Sequence, residues 1–384
     1  MSVDDVSSQA GEQPSVKSRR RTVVVVSPAL KYGSWSWFED IIASSPDTRW
    51  IVIAYGIVPS DRLLNVEWWT CKMGDYLKIG RFASHRYFLW LNFVYVLPLA
   101  VVAWFVAWYR KADVVVGNGI AATVLLQPCR LFRRLEVWLG YHGYISWLGD
   151  ASQKLMRLLL STCSGAICNS QGSADDLAKV LPDRPVIPVQ HWASEAFFVM
   201  PLAKKERNSG HVRVLFVGRT DPEKFAQCNR VMRQLAQLGT AELSVVGPSQ
   251  REPAEDRFRY VGYVSGSESL AEYYRWADLV WAPADVDYLS RPGVEALACG
   301  CPVLVSDVPA VEGKCDGSIR IPRSLVPEGV GWVVDGVDDR EVMDLLERLS
   351  LVEGPLADPV TCRTYARDHF SSDNIATIAD AWSL

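Results

Sequence analysis

The chain has 384 residues, a net charge of −4, 49% hydrophobic residues and 22% charged residues. That composition excludes a disordered chain, the charge gives no footing for nucleic acid, and the length fits two domains of ordinary size. Nine cysteines are scattered without CxxC-plus-His spacing, so neither a zinc site nor a disulfide framework is supported. They read as reduced, buried thiols of a cytosolic protein.

Residues 1–21 are polar and end in Lys17-Ser18-Arg19-Arg20-Arg21. They lack an apolar stretch of signal-peptide type and read as a disordered basic tail. Residues 22–27 (TVVVVS) form a continuous apolar run suited to a central parallel strand. A loop follows in which Gly33 opens a helix and lets backbone approach a ligand. Residues 50–55 (WIVIAY) predict a second strand.

Residues 87–109 contain no charged residue and are long enough to span a bilayer. The run at 113–117 (DVVVG) directly after them reads as the next strand of the same sheet. A spanning helix would put the strands before and after it on opposite sides of the membrane. The segment is therefore expected to be a helix with one face in the core and a Trp- and Tyr-rich face on a membrane surface. A wholly buried helix ranks second and a true span third.

Further strands are predicted at 136–142, 165–169 and 185–189, and helices at 152–160 and 173–181. His142 ends one of these strands and precedes Gly143, a crevice position. A polar linker, 201–210, separates this part (22–200) from a second alternation of strand and helix (211–370). There, strands are expected at 212–217, 242–246, 260–263, 278–282 and 331–334. Helices are expected at 228–238, 267–276, 339–349, 360–370 and 373–382, the last (371–384) crossing back to the first domain. The alternation implies doubly wound parallel sheets.

Three short stretches carry the chemistry. Gly218-Arg219-Thr220-Asp221-Pro222-Glu223-Lys224 follows the first strand of the second half. Loops after parallel strands face the ligand crevice, where Arg clamps phosphate through two bonds and Lys adds a point charge. Gly262-Tyr263-Val264 is a strand end and turn. Residues 281–307 read strand, loop, helix, turn, strand. Ser290 is placed as N-cap, Pro292 in the first turn, and Gly300 and Pro302 as the stop. Asp287 and Glu295 frame that helix start, a natural anion site flanked by acceptors for sugar hydroxyls.

Asp287, Glu295 after seven intervening residues, the small run at 296–299 and Gly300-Cys301-Pro302-Val303 together resemble the nucleotide-sugar site of the family 4 retaining glycosyltransferases. The one departure is Asp287, where that family usually has Glu. The resemblance implies an α/β fold of two Rossmann-like doubly wound domains facing each other across a cleft (GT-B). It further implies that Arg219 and Lys224, beside Gly218, hold the donor diphosphate. Tyr263 and Val264 pack the nucleotide base, and Glu295 accepts from the ribose hydroxyls. The backbone of Ser290, Arg291, Gly293 and Val294 meets the distal phosphate, Asp287 contacts the sugar, and His142 lies near the transferred sugar. Gly33 faces donor and acceptor from the first domain.

The function so implied is transfer, with retention, from a nucleotide-diphosphate sugar to a membrane-proximal or lipid-linked glycan acceptor. No cofactor is expected beyond the donor substrate. No metal is expected either, because Asp285 and Asp287, although spaced D-V-D, belong to the acidic loop. The expected location is cytoplasmic, peripheral on the inner face of the cytoplasmic membrane. A nucleotide-sugar epimerase of the same fold, or a degenerate relative that binds a partner or membrane, is the alternative.

Overall fold

The computed structural model describes residues 20–28, 33–56, 63, 65–71, 88–131, 135–142, 150–202, 210–218, 222–247, 258–264, 266–284, 287–307, 320–336 and 338–384. Two parallel sheets organise them. The first holds β1 (Thr22–Ser27), β2 (Arg49–Tyr55), β3 (Val66–Cys71), β4 (Val114–Asn118), β5 (Glu136–Tyr141), β6 (Gly165–Cys168) and β7 (Val186–Pro188), in the spatial order β3-β2-β1-β4-β5-β6-β7. The second holds β8 (Val212–Val217), β9 (Ala241–Val246), β10 (Phe258–Gly262), β11 (Leu279–Trp281), β12 (Val303–Asp307) and β13 (Gly331–Asp335), in the order β10-β9-β8-β11-β12-β13. Both reverse direction beside their first strand, which is the doubly wound pattern with its ligand crevice at the switch point. The fold is the GT-B arrangement of two such α/β units.

The strands form where the sequence is apolar on both faces. In β1, Val23 and Val25 pack on one side of the sheet and Val24 and Val26 on the other. The first side is covered by α1 (Gly33–Ser44) and α12 (Asn374–Ala381). Phe38, Ile41, Ile375, Ile378 and the flanking Trp382 lie there. Arg21 donates to the Trp382 carbonyl, and the Trp50 and Trp382 rings meet edge to face at 6.4 Å. The C-terminal helix is thus built into the first sheet's core. Conversely α6 (Glu195–Val199), ahead of the polar stretch at 201–210, buries Phe197 and Phe198 against the second sheet.

The other side of the first sheet is covered by α2 (Phe88–Tyr109) and α3 (Ile120–Leu126). Along α2, Val96, Leu99, Ala103, Val106 and Ala107 recur at helical spacing and pack against Val24, Val26, Ile51 and Ile53. The opposite stripe is open: Val94, Leu97, Val101, Phe105, Trp108 and Tyr109 are all exposed. Pro98 sits inside the helix. The strands before and after α2 share one sheet: β1 pairs directly with β4, Val24 opposite Val115.

In the second unit, α7 (Pro222–Leu238) and α10 (Asp339–Ser350) cover one side, and α8 (Ser267–Trp276), α9 (Arg291–Ala298) and α11 (Pro359–Phe370) the other. Gly300, at φ +77°, terminates α9 in the left-handed region, as its placement after the helix requires. The remaining helices, α4 (Asp150–Leu160) and α5 (Gln171–Ala178), belong to the first unit. Strand β3 and helices α3 and α6 had no counterpart in the sequence reading. Helix α7 starts six residues earlier than its apolar periodicity indicates, because Pro222 is a good first helical residue.

Candidate functional site

The carboxyl ends of the two sheets face each other, and the loop before α9 and the first residue of α9 reach across to the first unit. Asp287 Oδ2 accepts from the backbone N–H of Gly172, 3.0 Å away in the first turn of α5. A carboxylate at a helix start is favoured by free N–H groups and the helix dipole. Ser170 caps the same helix by accepting from Ser173 N. Four residues further along the chain, at the start of α9, Arg291 Nη2 reaches Asp40 Oδ2 of α1 at 3.1 Å. The ring of Tyr288 packs edge-on to His191 at 5.0 Å between centroids.

Glu295 lies in the second turn of α9, where the i, i+4 spacing puts it over Arg291. It is only 6% exposed. Its Oε1 accepts from Arg291 Nε at 2.9 Å and its Oε2 from Tyr274 OH at 2.8 Å. Burial raises its pKa, while Arg291 and the Tyr274 hydroxyl oppose that rise. A carboxylate has about four lone-pair positions, so two ligand hydroxyls can still be accepted. Burial also tends to lower the pKa of Arg291, but Glu295 and Asp40 together hold it above its ordinary value.

Ser290 occupies the N-cap position of α9, but its hydroxyl makes no capping bond, contrary to the capping role expected of it. The first N–H groups of the helix are therefore not satisfied by that side chain. Gly293 is close-packed: a Cβ there would lie 2.7 Å from Leu289. Val294 is fully buried beneath it. At the ends of the neighbouring strands, Gly218 and Gly247 have φ of +148° and +144°, and a Cβ on Gly247 would come within 2.1 Å of the Gly218 carbonyl. Only glycine permits the two loops to leave the sheet side by side. Next to them Tyr263 is 80% exposed, an open aromatic face, with Val264 packed partly into the core below.

Of the expected phosphate clamp, Arg219 lies outside the described residues. Lys224 falls within α7 rather than in the preceding loop. Gly33 is the first residue of α1.

His142 follows β5 directly, with its ring edge-on to Trp37 at 5.3 Å. Trp37 in turn packs against Trp192, whose Nε1 donates to Asp40 Oδ2 at 3.0 Å. Burial lowers the pKa of His142 to about 4. For His191 burial, His142 and Arg291 lower it to about 3. Both imidazoles are neutral at pH 7.

Residues 211–349 match the family model for glycosyl transferases group 1. Over 139 residues the chain is 28% identical to an uncharacterized glycosyltransferase of Methanocaldococcus jannaschii, a match covering 32% of this chain and about a third, 35%, of that relative's length. Among solved structures, HepE of Anabaena in complex with UDP and glucose aligns with a TM-score of 0.66 at 17% identity, covering 95% of this chain and 100% of that one. Sucrose-phosphate synthase of Thermosynechococcus elongatus aligns at 0.70 and 17%, covering 94% and 98%. The lipopolysaccharide outer core galactosyltransferase WaaB aligns at 0.60 and 12%, covering 94% and 98%. At these identities the structural likeness shows a shared fold.

The family match ends on the side of the cleft that holds Asp287 and Glu295. The first unit contributes site residues that no motif signalled. Asp40 sits in the middle of an ordinary amphipathic helix. His191 precedes Trp192 in a segment without periodicity. Only their meeting across the cleft distinguishes them. Among the described residues no group of three or more His, Cys, Asp or Glu is placed to hold a metal ion.

Proposed function

We propose that this protein is a retaining glycosyltransferase that moves a sugar from a nucleoside diphosphate sugar to a glycan or lipid-linked acceptor at a membrane surface. The observation that carries the reading is the loop from Asp287 to Glu295. It lies at the carboxyl end of the second sheet, within the segment that matches the group 1 model, and it touches the first unit at Gly172 and Asp40.

In this reading the nucleotide lies along the ends of β8 to β11. Tyr263 stacks on the base and Glu295 accepts from the ribose hydroxyls. The start of α9 presents the N–H groups of Arg291 and Gly293 to the distal phosphate; Pro292 has none, and the Val294 N–H donates to the Ser290 carbonyl, 3.1 Å away. Arg219 and Lys224 meet the rest of the diphosphate charge. Charge grows on that diphosphate as the glycosidic bond breaks, so fixed cations and helix N–H groups there stabilise the transition state more than the ground state. The departing phosphate takes the acceptor proton on the same face, which gives retention without a protein nucleophile and without a divalent cation. His142 and Asp287 flank the sugar. The likeness to UDP-binding HepE and to WaaB supports a nucleotide-sugar donor and a cell-envelope type of acceptor.

A membrane surface is the proposed partner of α2, whose outward stripe holds Phe105, Trp108 and Tyr109 beside Arg110. Lying in the interface keeps the first sheet whole, and the proposed location is the inner face of the cytoplasmic membrane.

The test is release of a nucleoside diphosphate when a panel of UDP-, GDP- and ADP-sugars is incubated with an extract of membrane glycolipids. Release that needs both a sugar nucleotide and the extract supports the proposal, and Arg219→Ala and Lys224→Ala should each weaken binding of the diphosphate about 10-fold or more. Binding of no sugar nucleotide in the panel overturns it.

A further inference from the structure

Asn169 is 1% exposed, and neither its Nδ2 nor its Oδ1 meets a hydrogen-bond partner among the described residues. A buried amide left wholly unsatisfied is rare in a folded protein, because it forfeits its bonds to water and gains nothing in return. Its place in the fold says what could satisfy it. Asn169 is the first residue after β6, on the carboxyl side of the sheet where ligands bind. The register of β6 against β5 sets Cys168 opposite Tyr141, so the next residues along the two strands are Asn169 and His142. His142 Nε2 is likewise buried without a partner, and so is Nε1 of Trp37, whose ring packs on His142. Three residues beyond Asn169, Gly172 makes the bond to Asp287. Unsatisfied polar atoms on adjacent strand ends therefore sit beside the loop that closes the cleft.

We propose that Asn169 is a sugar-binding residue, its amide pairing with adjacent ring hydroxyls of the sugar carried by the donor. This deepens the glycosyltransferase reading and rests on it. The chemistry fits hydroxyls in particular. An amide offers two donors and an oxygen with two lone pairs, and a pair of neighbouring hydroxyls offers both in return. A phosphate would use only the donors and leave the oxygen unpaired. A neutral imidazole at His142 adds a further group able to donate or accept, and the indole N–H of Trp37 a donor. The same polar set discriminates among sugars, because a hydroxyl of the wrong configuration leaves a buried amide atom unpaired.

The test uses the full-length protein and the sugar nucleotide that binds tightest in the panel, alongside its nucleoside diphosphate. Binding of each is measured by calorimetry to wild type and to Asn169→Leu and Asn169→Ala, without acceptor. The expected result is an unchanged affinity, within 2-fold, for the nucleoside diphosphate. The extra affinity that the sugar confers on wild type should fall at least 10-fold, and the Asn169→Leu variant should melt no lower than wild type, because an unsatisfied amide has been replaced by an apolar side chain of similar size. A sugar contribution retained in either variant overturns the proposal, as does a lower melting temperature for Asn169→Leu with the sugar contribution intact in Asn169→Ala. If wild type binds nucleoside diphosphate but gains nothing from the sugar, the Asn169 assignment fails while the nucleotide site stands. If wild type binds neither, the glycosyltransferase reading itself fails and the assignment with it.

Discussion

Arg291 and Asp40 join the two α/β units across the cleft, with Nη2 of the one 3.1 Å from Oδ2 of the other. The same guanidinium holds Glu295 through Nε at 2.9 Å. One side chain therefore ties Glu295 of the second unit to Asp40 of the first. Asp40 is itself tied to Trp192, and burial raises its pKa against the pull of Arg291. A cation set between two carboxylates, each with a further hydrogen bond, is well compensated for its loss of water. Arg291 is engaged by both carboxylates and so serves to position Glu295.

Asp40→Asn tests that link. The amide oxygen still accepts from Trp192, but the charge opposite Arg291 is gone. Loss of a charged hydrogen bond in a half-buried setting should cost about 1.5–3 kcal/mol. Urea denaturation checks it, and a change below about 0.5 kcal/mol would put the contact in the class of exposed ion pairs that contribute little.

Glu295→Gln should lower kcat/KM at least 10-fold, or about 1.4 kcal/mol. The amide has one acceptor oxygen where the carboxylate has two, and both carboxylate oxygens are already in use by Arg291 and Tyr274. Because burial raises the pKa of Glu295, the wild-type enzyme should lose donor affinity on the acid side at a higher pH than an ordinary carboxylate would dictate. In Glu295→Gln that acid limb should flatten. A wild-type profile without such a limb, or one that Glu295→Gln leaves in place, would remove Glu295 from the donor site.

The two buried histidines predict a dependence of stability on pH. In the folded protein His142 titrates near 4 and His191 near 3, against about 6.5 in an unfolded chain. As the pH falls below 6.5 the unfolded chain takes up protons that the folded one refuses. Stability is therefore fully present above 6.5 and is lost progressively towards 4, by up to ~1.4 kcal/mol per pH unit per histidine. The urea midpoint, followed from pH 7.5 to 5, should fall. In the His142→Gln, His191→Gln double variant it should fall much less. Equal slopes would show that the imidazoles reach water in the folded state.

The sequence was legible where a residue's role is local. Continuous valines gave β1 and β4. Helix α8 appeared within its observed bounds because Leu270, Tyr273 and Tyr274 sit at helical spacing. The acidic loop and α9 stood out because Gly300 and Pro302 end a helix in only one way. What escaped was non-local. Strand β3 (VEWWTC) has acid and aromatics on an edge strand and no alternation to betray it. Helix α3 is short and begins after Gly119, without a side-chain cap. In the site, Asp287 and Glu295 were visible as a pair. The bond of Asp287 to Gly172 and the link of Arg291 to Asp40 depend on how this stretch crosses the cleft, and the bond of Tyr274 to Glu295 on how α8 packs beside α9, none of which spacing encodes. Asn169 has no motif at all; its unsatisfied amide is visible only once burial and partners are known.

The outward face of α2 should bind anionic lipid. The helix has 22 residues and no charge, and one face of it already covers the first sheet. On the open side Phe105 is 57% and Trp108 56% exposed, with the Phe105 and Tyr109 rings stacked 5.9 Å apart. Aromatic rings at the end of an apolar stripe suit the headgroup boundary, where one edge is wet and the other is not. Arg110 follows at once and rests over the Tyr109 ring, although it is also paired with Glu67. Attraction should therefore come mainly from apolar burial, with a smaller part screened by salt. The protein is expected to float with liposomes containing anionic lipid, and to be only partly released by high salt. Phe105→Ser with Trp108→Ser should cut binding at least 10-fold while leaving the fold intact, since both side chains point away from the core. Unchanged flotation of that variant would move the contact elsewhere, and no flotation of the wild type would leave α2 a helix of the first sheet and nothing more.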